Sequence, residues 1–149
     1  MLSLLGTMTG LAAFAARRGP LAPMGAAAPR LMRLLFTGLV AMSASLVLKM
    51  MIGRARPGAG PDPLAFAPGA LDRAFQSLPS SSSAVAAALA VGLARWRPSL
   101  TAPAVAALIA ICAERVLSRS HWPSDVIAGV VLGLVAVRWV QPGKREAGR

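Results

Sequence analysis

The segment Arg115 to Asp125, R-V-L-S-R-S-H-W-P-S-D, carries the chain's only histidine, six residues after Arg115 and four before Asp125. At a helix start, a spacing of four puts His121 and Asp125 on one face. A carboxylate holding one ring nitrogen keeps the other unprotonated and aimed, which suits nucleophilic attack. The cations indicate what is attacked: Lys49 and Arg56 in K-M-M-I-G-R-A-R-P, and Arg115. A lysine and two arginines around one point form a cage for a multiply charged anion, with arginine forks matching phosphate oxygens. Ser80, Ser81 and Ser82 stand where another helix opens, and its first-turn amides add neutral donors to the same anion. Ser80 reads both as a phosphate contact and as a helix cap, whereas Ser77 and Ser83 read as caps. With one histidine, one cysteine and no acidic cluster, a metal site is not expected, and no cofactor is implied.

The elements that must position these residues lie in a membrane. Of 149 residues, 56% are hydrophobic and 14% charged, and tyrosine is absent, a balance far from the soluble average. The net charge of +11 would suggest nucleic acid on a soluble domain. Here the basic residues punctuate long apolar runs and the aromatic residues are few and scattered, so nucleic-acid binding is excluded. Cys112 is alone, so no intrachain disulfide forms, and it reads as a small apolar residue inside a helix.

A bilayer core of about 30 Å takes roughly 20 helical residues to cross, fewer where a helix is buried among others. Five segments approach this: 2–16, 31–52, 80–94, 100–117 and 123–140. The first ends at Arg17-Arg18, the wrong flank for a signal peptide. The second carries Arg33 and Lys49 near its ends, where long side chains snorkel. The third is short, but its Ser, Ala and Gly content suits tight packing. The fifth begins at Pro123, and proline favours a first helical turn. Residues 58–78 read as a loop with a short interfacial helix at L-D-R-A-F-Q-S-L. The expectation is an all-α integral membrane bundle of about five transmembrane helices, forming one domain over residues 1–149.

If the five helices alternate, the end of the second, the start of the third, the end of the fourth and the start of the fifth emerge on one side. That side collects Lys49, Arg56, Ser80 to Ser82, Arg115, His121 and Asp125. The other collects Arg17, Arg18, Arg30, Arg33, Arg95, Arg97, Arg138, Lys144, Arg145 and Arg149, ten of the 16 basic residues. By the positive-inside rule the second face is cytoplasmic and the site faces outward. For a bacterial chain this means the extracytoplasmic face of the inner (plasma) membrane.

These motifs resemble the type 2 phosphatidic acid phosphatase superfamily of membrane lipid phosphatases. The family's first motif, Lys, six residues, then Arg-Pro, is matched by Lys49 and Arg56-Pro57. Its third motif is matched by Arg115, His121 and Asp125, and the following W-P-S-D-V-I-A-G is similar as well. The resemblance implies a phosphohistidine at His121, orientation by Asp125, and phosphate binding by Lys49, Arg56 and Arg115.

Two positions depart from the family. Its second motif is Pro-Ser-Gly-His, whereas this chain has Pro79-Ser80-Ser81-Ser82. The missing histidine implies a missing proton donor to the leaving oxygen, since a serine hydroxyl cannot replace an imidazole of pKa about 6.5. Glu114 stands where the family has serine, and it either pairs with an arginine or weakens the cage. Arg54 and Arg119 read as electrostatic helpers at most, and Trp122 as an interfacial anchor. The expected function is a metal-independent membrane lipid phosphatase or pyrophosphatase. Its substrate is a lipid phosphate, such as phosphatidic acid or phosphatidylglycerophosphate, or a polyprenyl diphosphate. The alternative is an impaired member that binds anionic phospholipid or polyprenyl phosphate without efficient turnover.

Overall fold

The computed structural model describes residues 24–60 and 62–141. The chain divides into two compact units, Met1–Leu31 and Met32–Arg149, and all candidate site residues lie in the second. The described residues form four α-helices and no named strand: α1 (Met24–Ile52), α2 (Ser81–Trp96), α3 (Thr101–Leu117) and α4 (Pro123–Val140). The all-α expectation stands. The segment predicted as a helix at 2–16 lies outside the described residues. Helix α1 starts seven residues before the predicted boundary because Ala26 to Ala28 are strong helix formers that carry the helix beyond the interruption at Pro29 and Arg30.

Three stretches are long and apolar enough to cross a bilayer: Ala27–Ile52, Pro98–Leu117 and Pro123–Val140, with mean hydropathies of 1.9, 1.8 and 1.6. Helix α2 is different. Its 16 residues reach only about 24 Å at about 1.5 Å per residue. It is the packed centre, with Ala84, Ala87 and Ala88 wholly buried. Ala41 of α1 and Ala136 and Val137 of α4 join Ala84 and Ala88 in one apolar cluster. Helix α3 packs on α2 but has no buried residue, so its apolar faces are left for lipid.

Small residues set how closely α4 approaches α2. Gly129 and Gly133 lie four apart on one face of α4, and a Cβ at either would collide with the carbonyl oxygen of Ser80 or of Ala84. Such small-residue seams let backbones touch where lipid provides no hydrophobic drive. Here the seam presses the first turn of α4 against the start of α2, and the Ser80 amide donates to the Asp125 carbonyl at 2.9 Å.

The loop between α1 and α2 is pinned by backbone bonds. Gly53, at φ 63, ends α1 with its amide donating to the Lys49 carbonyl at 2.9 Å, a left-handed cap that suits glycine. The chain then turns back: the Ala55 amide donates to Ala65 at 2.9 Å, Arg56 to Ala74 at 2.8 Å, and Ser77 to Arg54 at 3.0 Å. The short helix expected in this loop is a single 3-10 turn, Arg73–Phe75, capped by the Asp72 carboxylate.

Candidate active site

His121 lies in the short turn between α3 and α4, and its amide donates to the Arg115 carbonyl at 3.1 Å. Its ring is buried. Nδ1 lies 2.9 Å from the carbonyl oxygen of Ser77, which only accepts, so Nδ1 carries the proton and Nε2 is the basic nitrogen of the neutral ring. The sequence reading gave this orienting role to Asp125. Instead, the nearest carboxylate oxygen is 3.9 Å from Nδ1, beyond hydrogen-bond range. The loop carbonyl reaches the ring first because Ser77 sits between the two.

Asp125 is fully buried and saturated with donors. Oδ1 accepts from Arg54 Nη1 at 2.7 Å. Oδ2 accepts from Ser77 Oγ at 2.5 Å and from the Trp122 amide at 2.9 Å. The last bond satisfies a free amide at the entrance of α4. Asp125 therefore fixes Ser77 through its hydroxyl, and Ser77 fixes the histidine through its carbonyl.

Arg54 is the residue that sequence spacing undervalued. It is buried, it donates to Ser124 Oγ at 2.7 Å and through Nε to the Pro63 carbonyl at 2.9 Å, and it lies 5.8 Å from the Trp122 ring centroid. A buried carboxylate needs a cationic partner, and Arg54, which lies between Lys49 and Arg56 but outside the motif positions, supplies it. Trp122 is likewise more than a surface anchor, since its indole N–H donates to the Ala55 carbonyl at 3.0 Å.

The cations of the motifs meet in a cavity of about 690 Å³ lined by Lys49, Arg56, Arg115, Ser81, Ser82 and His121, and also by Arg73 and Arg119. Lys49 Nζ donates to the carbonyls of Gln76 at 2.7 Å and Ser77 at 3.3 Å. Arg56 donates to the carbonyls of Arg73 at 3.0 Å and Gln76 at 3.3 Å. Burial, and then the like charges of Arg73 and Arg115, hold the Arg56 pKa below the ordinary guanidinium value, against the pull of Asp125. Arginine nonetheless remains protonated, so an anion in the cavity would relieve the crowding. Arg119 enters this lining with φ 55, a left-handed backbone that costs a side-chain-bearing residue about 1 kcal/mol.

Three serines take roles that their place near a helix start does not decide. Ser80 does not line the cavity: it is buried as the cap of α2, accepting from the Ser83 amide. Ser83 is not a cap, because its hydroxyl donates to Ser80 Oγ at 3.0 Å. Ser77 is not one either, since its hydroxyl is spent on Asp125. Glu114 pairs with Arg115 on an exposed face. Among the described residues there is no group of three or more side chains able to hold a metal ion.

The chain matches the PAP2 superfamily over residues 30–147. It is 38% identical over 100 residues to the lipid A 1-phosphatase of Rhizobium johnstonii, which takes in 66% of this chain and 39% of that one. Against the lipid A 1-phosphatase of Rhizobium etli it is 37% identical over 100 residues, 66% of this chain and 41% of the relative. The chain thus spans about two fifths of the length of these curated relatives. No solved structure matches it. The apolar helices, together with relatives named for a lipid substrate, make it an integral membrane protein. With the matched residues running from the first helix through the last, and with all the motif positions among them, the chain belongs to the PAP2 superfamily.

Proposed function

We propose that this protein is a lipid phosphatase in which His121 Nε2 attacks phosphorus and the resulting phosphohistidine is hydrolysed. The observation that carries the reading is the bond from His121 Nδ1–H to the Ser77 carbonyl, which leaves Nε2 as the free nucleophile of a ring that lines a cation-rich cavity. Lys49, Arg56 and Arg115 would take the phosphate oxygens and the charge that grows on them. Asp125 acts at one remove, holding Ser77 in place. The relatives' names, lipid A 1-phosphatases, favour a phosphate carried on a lipid head group. The reading treats residues 1–149 as one membrane-embedded domain, with its site on the extracytoplasmic face, in keeping with the basic residues gathered at the opposite helix ends.

Ser82 favours a second reading, in which anionic lipid is bound with little turnover. Serine stands at the position of the family's second histidine and lines the cavity, and losing a general acid or base costs about 10²- to 10⁴-fold. One experiment separates the two. Phosphate release by the detergent-purified chain on lipid mono- and diphosphates is expected to need His121, with His121→Ala abolishing both release and an acid-labile phosphoenzyme. A wild type that binds lipid phosphate and gains turnover only as Ser82→His is the impaired relative. Release that persists in His121→Ala sinks the nucleophile.

A further inference from the structure

The cavity holds more positive charge than transfer of one phosphoryl group needs. Beside Lys49, Arg56 and Arg115, it is lined by Arg73 and Arg119, neither of which has an acidic partner among the described residues. The Arg73 carbonyl accepts from Arg56 Nε at 3.0 Å, which fixes the two arginines as neighbours. Arg119 is the one non-glycine residue at positive φ among the described residues. Backbone of this kind persists where its surroundings over-determine it, and it gathers at ligand sites. In the same cavity Ser82 offers no proton to a leaving oxygen.

Together these observations concern the group that departs, and we propose that the site selects a lipid diphosphate, with Arg73 and Arg119 holding the inner phosphate that stays on the lipid. The inference rests on His121 as nucleophile. His121 Nε2 forms a bond to the terminal phosphorus while the bond from that phosphorus to the bridging oxygen breaks. The electron pair stays on the bridging oxygen, and the lipid leaves as a monophosphate. Water then attacks the phosphohistidine, the N–P bond breaks, inorganic phosphate leaves, and one proton goes to solvent.

The chemistry accounts for both peculiarities of the cavity. A phosphate monoester, with a second pKa of about 6, departs near neutral pH without a proton. An alkoxide, about as basic as hydroxide and far more basic than a phosphate oxygen, does not. A serine in the acid's place therefore hinders a monoester far more than a diphosphate. The charge that arrives on the inner phosphate is what two additional guanidiniums would stabilise.

The test compares farnesyl diphosphate with farnesyl monophosphate, which share one tail, on the full chain in detergent. The wild type is expected to favour the diphosphate by about 100-fold or more in kcat/KM. Arg73→Gln and Arg119→Gly should each lower the diphosphate-to-monophosphate ratio about tenfold. Arg119→Gly also removes the strained backbone, so misfolding does not explain its loss. Ser82→His should narrow the ratio from the other side by raising monophosphate turnover. Equal kcat/KM for the two substrates, or a parallel fall in both for the arginine variants, overturns the inference while leaving His121-dependent hydrolysis intact. Hydrolysis that survives His121→Ala overturns the underlying reading instead. If the wild type is silent on both substrates, binding decides. A farnesyl methylenebisphosphonate that binds His121→Ala protein no better than a farnesyl phosphonate rejects the second phosphate position, and a preference of about tenfold lost in Arg73→Gln supports it.

Discussion

Two clusters of charge lie within a few residues of His121, and they are built in opposite ways. Around Asp125 every acceptor is used: a guanidinium, a hydroxyl and an amide converge on one wholly buried carboxylate. Around the cavity, the motif cations Lys49 and Arg56 lean on backbone carbonyls, Arg115 pairs with an exposed glutamate, and like charges crowd one another. A saturated cluster in low dielectric is rigid, and removing one member exposes the others to a large penalty. A set of cations held by neutral carbonyls has given up little and can turn to an anion when one arrives. The difference teaches that the first cluster fixes geometry and the second binds, although both were recruited from the same short motifs.

Breaking the comparison at its strongest point is the most informative experiment. Arg54→Ala strips a buried carboxylate of its ion partner, with an expected loss of about 3–5 kcal/mol of stability, read as a thermal midpoint lowered by several degrees in detergent. Arg56→Ala should do the reverse, leaving the midpoint nearly unchanged while lowering kcat/KM on a lipid phosphate about 10²-fold. If the two variants lost stability equally, the division of labour would be wrong. Glu114→Ala tests the rim. Its pair with Arg115 is exposed, and such pairs contribute about 0–1 kcal/mol. Phosphate release within about twofold of wild type is expected, and a large change would draw Glu114 into the site.

The motif positions were legible because spacing on helices is legible. Lys49, Arg115, His121 and Asp125 stand at helix ends, and alternation of apolar runs suffices to bring those ends to one side. The last apolar run, 123–140, matches α4 at both boundaries. What sequence could not give is the work of backbone carbonyls. Ser77 accepts from both Lys49 and His121 through its main chain, and every residue type has a carbonyl, so the position leaves no trace in residue identity. Arg54 was hidden for another reason. Its partner is 71 residues away, and the two meet only because the chain reverses at Gly53. Ser80, by contrast, was ambiguous in a readable way, and packing assigned it to the cap.

The glycine seam of α4 has a meaning beyond packing. Gly129 lies one helical turn from Asp125, about 6 Å along the axis, and rests against the carbonyl of the residue that caps α2. In a bundle whose site is assembled from four helix ends, an error in helix separation is passed on to the reacting atoms. A backbone-to-backbone stop so close to Asp125 works as a gauge block. Residues without functional groups thereby set the dimensional tolerance of the chemistry, and a single added methyl would be felt first as a misalignment of His121 and only afterwards as a loss of fold.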